Sequence, residues 1–169
     1  MFAIRKVFFL FFFFNIYNFA QSNENIVFVD LDYLFQNSNL GKTILSNLNK
    51  INDENIKNLQ ITEKNIKEQE DQIKKKQNII STDELNNEIN SLKEKIAVFR
   101  AEKDKMSNEF TNLKNTQITE FFKKINPIIE EYMVEKSVKI ILDKKNIFLG
   151  LKTSDATLDL LSKINNNIN

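Results

Sequence analysis

The chain has 169 residues, 24 Lys+Arg against 23 Asp+Glu, no Cys, no His, two Gly and one Pro. Without Cys or His there is no disulfide framework, thiol nucleophile, imidazole base or ordinary zinc site. Gly41 and Gly150 alone cannot build a phosphate-cradling loop, and a net charge of +1 argues against a nucleic-acid partner.

The N-terminus reads as an address. Arg5 and Lys6 precede an unbroken apolar run over residues 7–14, and Ala20 closes the segment before a polar stretch. A basic start, a short apolar core and a small final residue form the secretory signal pattern. The run falls short of the roughly 20 apolar residues of a bilayer span. Residues 1–20 are therefore expected to be a signal peptide cleaved between Ala20 and Gln21, with an uncleaved anchor as the alternative. The expected product is exported and cysteine-free.

Ile26, Val27, Phe28 and Val29 follow as a short β-branched strand. Asp30 and Asp32 then form a D-x-D pair. Capping of a short helix by Asp30 is preferred over a cation site, which wants more oxygen ligands than two carboxylates supply.

Residues 42–126 contain neither Gly nor Pro, which predicts long helix. From Leu85 the series Leu85, Ile89, Leu92, Ile96, Phe99, Lys103, Met106, Phe110, Leu113 and Gln117 steps by four and three, and eight of the ten are apolar, a heptad seam. The earlier half is thinner: Leu45, Leu48, Leu59, Ile66, Ile73 and Ile80 alternate with Asn52, Asn55, Thr62 and Gln69. Between the halves, Ser81 and Glu84 form a capping box. The spacing predicts one helix ending near Ile80 and a second beginning near Thr82. These fold back as an antiparallel hairpin with arms of about 60 Å.

Pro127 predicts a kink or a fresh helix start. Beyond it, residues 138–142, with Val138, Ile140, Ile141 and Leu142, read as a second strand, and residues 147–149 as a possible third. Residues 158–168 read as a terminal helix. Three short strands bury too little alone and leave open edges, so association through the strand region is expected. The resulting division is 1–20 for the signal, 21–43 for the first strand and short helix, 44–126 for the hairpin with its tip near 80–84, and 127–169 for the return helix, body strands and last helix.

The order of these parts resembles the Skp/OmpH family of periplasmic chaperones. The matching residues are the strand 26–29 with the Val29-Asp30 pair, Ser38-x-x-Gly41-Lys42 leading into a long helix, Glu135-Lys136 before the strand 138–142 with Asp143, and Asp155-x-x-x-Asp159-Leu160 before the last helix. The resemblance covers the whole chain after the signal. It implies a mainly α, α+β fold: a homotrimer whose strands close a small β-barrel body while three helical hairpins enclose a cavity. It also implies an ATP-independent holdase for unfolded outer-membrane β-barrel proteins, with no catalytic residue, metal or cofactor. Ser137 stands where the family carries Gly, so that helix stop is expected to use another conformation. Leu161 stands where the family often has a helix-capping Thr.

Weak, multivalent capture suits long arms with a thin seam. The candidate client-facing residues are Ile66, Ile73, Ile79 and Ile80 on the first arm and Leu85, Ile89 and Phe99 on the second, with packing inside the hairpin as the competing reading. Lys74, Lys75 and Lys76 near the tip read as a solvated face, with weak contact to a membrane surface as the alternative. A structural or adaptor hairpin of the cell envelope is the second functional class.

Overall fold

Short-range signals set the element boundaries. The computed structural model describes residues 25–168; the expected signal peptide and the Ala20–Gln21 junction lie outside them. Strand β1 (Asn25–Val29) ends at Asp30, whose Oδ1 accepts the Tyr33 N–H at 2.9 Å and caps α1 (Leu31–Asn37). Ser38 closes α1 and opens α2 (Asn39–Lys76), its Oγ accepting from Gly41 N–H at 3.1 Å. At the far end Ser81 Oγ accepts from Glu84 N–H and caps α3 (Thr82–Glu135). The expected hairpin is present.

Three boundaries differ from expectation. Helix α2 stops at Lys76 rather than near Ile80, and a turn follows in which the N–H groups of Ile79 and Ile80 both bond to the Lys76 carbonyl. Three lysines in that last turn suit the negative end of the helix dipole. Pro127 starts no new helix: α3 runs through it for 54 residues. Pro127 faces solvent, while Phe121, Ile125, Ile128 and Tyr132 on either side of it are buried. That apolar anchorage outweighs the roughly 3 kcal/mol cost of an internal proline. The possible third strand at 147–149 does not form; a short 3₁₀ turn (Lys144–Asn146) gives way to irregular chain.

Strand β2 (Val138–Asp143) pairs with β1 in parallel, Ile26 opposite Ile140 and Phe28 opposite Leu142. A parallel pair needs a crossover, and the whole hairpin is that crossover. In place of a third strand, Asp155 makes a single bridge to Phe28, with Ala156 N–H on the Phe28 carbonyl at 2.9 Å. Helix α4 (Thr157–Asn167) then closes the body.

Ser137 corrects the expected helix stop. It adopts φ 53°, the left-handed conformation that glycine takes most readily, immediately after α3. Leu161 lies inside α4, which begins four residues earlier at Thr157.

The core sits where the hairpin base meets the sheet and α4. Val29, Leu34, Phe121, Ile125, Leu160 and Ile164 are fully buried, and the Phe121 ring meets Phe35 edge-to-face at 5.0 Å. No helix among the described residues is long and apolar enough to cross a membrane.

Candidate functional site

The seam between α2 and α3 changes character along its length. Near the body, Ile44, Leu48 and Phe121 belong to the buried core, with Phe110 and Leu113 packed on it. Further out, α2 brings Asn52, Asn55, Thr62 and Gln69 to its half-buried positions. Of these, Thr62 and Gln69 line a gap between the two helices. A cleft of about 600 Å³ opens there, its apolar wall formed by Ile66, Val98 and Phe99. A second of about 480 Å³ adjoins it toward the tip. Polar bridges also cross between the arms here. Lys95 Nζ donates to Gln69 Oε1 at 2.6 Å, and Lys76 Nζ to Glu88 Oε1 at 3.2 Å.

The body is tied together by charge. Asp30 N–H donates to Thr157 Oγ1 at 3.0 Å, and Thr157 N–H donates to Asp155 Oδ1 at 3.0 Å. Lys144 Nζ stands 3.5 Å from Asp155 Oδ2 and 3.8 Å from Asp30 Oδ2. Burial raises the Asp155 pKa, but the Thr157 hydroxyl and N–H and the Lys144 ammonium outweigh it. The carboxyl is held below its ordinary range. Asp30 therefore serves as helix cap and ion-pair partner. Among the described residues no group of three His, Cys, Asp or Glu could hold a metal ion.

Parallel pairing puts Ile26, Phe28, Ile140 and Leu142 on one face of the sheet. Phe28 is covered by its own chain, its ring against Gly150, where a Cβ would stand 2.7 Å from Cε1. Ile26, Ile140 and Leu142 remain exposed, as do Phe148, Leu149 and Leu151 in the following segment.

The model of the outer membrane protein (OmpH-like) family matches residues 25–164. The chain belongs to the OmpH-like family. Among solved structures, the OmpH-like chain is similar to a protein of Caulobacter crescentus CB15 described as an outer membrane chaperone (OmpH-like). The TM-score is 0.78, the identity 14%, and the match covers 85% of each chain. At that identity the likeness speaks for the fold. A search of curated proteins finds no match.

Within the OmpH-like chain the sequence-derived candidates scatter. Ile66 and Phe99 line the larger cleft. Ile80, Leu85 and Ile89 are half-buried, and Ile73 is buried at 7% exposure, at a height where only the facing arm is available to cover it. Ile79, in the tip turn, is 83% exposed. Lys74 is paired with Glu70 and Lys76 with Glu88, so the basic run presents less free charge than its sequence suggests. Of the strand residues, Val27, Val29 and Val138 are buried in the chain's own core and Ile141 is half-buried. Heptad reasoning missed Ile51, Ile56, Ile61 and Val98, all exposed. The signal was there: Ile51, Ile56 and Ile61 recur at steps of five, which no single helix face can bury.

Proposed function

We propose that the OmpH-like chain is an ATP-independent periplasmic holdase that binds unfolded outer-membrane β-barrel proteins between its helical arms and prevents their aggregation. The observation carrying this reading is the apolar surface distributed along the arms at Ile51, Ile56, Ile61, Val98 and Ile79. Isolated apolar contacts spread over long helices bind an unfolded chain weakly and in many places, without one deep pocket. Family membership and the description of the Caulobacter protein as a chaperone support it. The reading involves no catalytic step and no cofactor. A homotrimer joined through the exposed sheet face at Ile26, Ile140 and Leu142 is part of the same proposal, since open edges and exposed apolar strands call for a partner. Weak contact of the tip with a membrane surface is a lesser part of it.

The test dilutes a urea-unfolded outer-membrane β-barrel protein into nucleotide-free buffer with and without the purified chain and follows light scattering. Suppression at a fixed stoichiometry is the expected result. Unchanged scattering with a folded, oligomeric chain would put the envelope-adaptor reading in its place.

A further inference from the structure

Buried apolar side chains on α2 and α3 fall into two groups. Ile44 and Leu48 on α2, and Phe121, Ile125, Ile128 and Tyr132 on α3, belong to the body core. Ile73 is the remaining one, and it stands apart from that core. At 1.5 Å per residue it lies about 38 Å of helix beyond Leu48. Between the two groups neither helix buries a residue, and the larger cleft opens there.

Two ties between the arms show what covers Ile73. Lys76 meets Glu88, and Gln69 meets Lys95. Both ties obey one antiparallel register, so Ile73, lying between them, falls between Ile89 and Leu92, which are half-buried on α3. The turn beyond is closed by its own hydrogen bonds, the N–H groups of Ile79 and Ile80 donating to the Lys76 carbonyl and that of Glu84 to Ser81 Oγ. Ile80 and Leu85 are half-buried above it. Both ties join exposed side chains and contribute little alone. The burial of Ile73 carries the difference from the middle of the hairpin.

We propose that residues 69–95 form a clasp, a local unit that holds the distal ends of the arms together and opens less readily than the stretch between it and the body. The hairpin is then fastened at both ends and loose in its middle, so the arms bow apart around the larger cleft without losing register. The clasp is a property of the hairpin itself and stands apart from the holdase reading.

The test is hydrogen exchange of the purified chain, read by mass spectrometry of peptic fragments. Amides of residues 70–76 and 85–92 are expected to exchange about tenfold more slowly than those of 58–66 and 98–106, from the burial of one isoleucine. Ile73→Ala and Leu92→Ala each erase that difference. Ile79→Ala, at a tip side chain that is 83% exposed, leaves it in place. Tyr33 and Tyr132 lie on α1 and at the base of α3, so the tyrosine signal in urea unfolding follows the body. Its midpoint is expected to stay at the parent value in both clasp variants. Protection that declines steadily from body to tip overturns the clasp, as does tip exchange unmoved by Ile73→Ala. A body midpoint that falls together with tip protection makes the hairpin and body one cooperative unit and overturns it as well.

Discussion

Gly41 and Phe35 are in backbone contact: a Cβ on Gly41 would lie 1.6 Å from the Phe35 carbonyl oxygen. The first turn of α2 is packed directly onto α1 there, with Ser38 fully buried between them. No side chain fits without parting the two helices. Gly41→Ala is expected to cost about 3 kcal/mol or more, as overpacking in a closed core does. Urea unfolding followed by circular dichroism checks it; a midpoint within error of the parent would mean that α1 is free to shift.

Ser137 offers the opposite case. At φ 53° its Cβ is held against the backbone, a cost of about 1 kcal/mol that glycine does not carry. Ser137→Gly should raise the unfolding free energy by about that amount. The same denaturation experiment reads it, and a loss of stability would show that the serine makes a compensating contact.

Acid sensitivity should trace to the body latch. The Asp155 carboxyl is held below its ordinary value in the folded chain. Its contribution is thus complete above the ordinary carboxylate pKa and disappears as pH falls through the lowered folded value. Stability measured against pH should decline on the acid side, and Asp155→Asn should flatten that decline while lowering stability at neutral pH. An unchanged acid profile in the variant would assign the loss to other carboxylates.

The exposed sheet face makes a prediction about assembly. Ile140 and Leu142 present apolar side chains to solvent beside Ile26. On the proposed homotrimer, Ile140→Lys should shift sedimentation to a smaller species with the helical content retained, because one buried charge per interface is costly. A variant that sediments like the parent would move the interface elsewhere, with the segment containing Phe148 and Leu149 the next surface to alter.

Much of this molecule was determined locally. Asp30, Ser38 and Ser81 are capping residues whose partners lie three positions away, so the helix starts were legible from neighbours alone. The heptad from Leu85 to Leu113 and the absence of Gly and Pro over 42–126 specified two long helices, and a start signal between them specified the hairpin. The apolar residues at 26–29 and 138–142 named the strands.

Tertiary structure decided what depends on residues distant in the chain. Whether Pro127 ends a helix turned on Phe121, Ile125, Ile128 and Tyr132 being buried around it, which no local rule weighs. The third partner of the sheet is Asp155 rather than 147–149, because Thr157 and Asp30, 127 positions apart, are hydrogen-bonded and fix α4 beside β1. The cleft lined by Glu94, Val98 and Glu102 exists only where α3 meets Thr62, Asn65, Ile66 and Gln69 of the facing arm. Caps and periodicity act over one or two turns and are written in sequence; burial, pairing partners and the space between helices arise only when the arms and the chain ends are brought together.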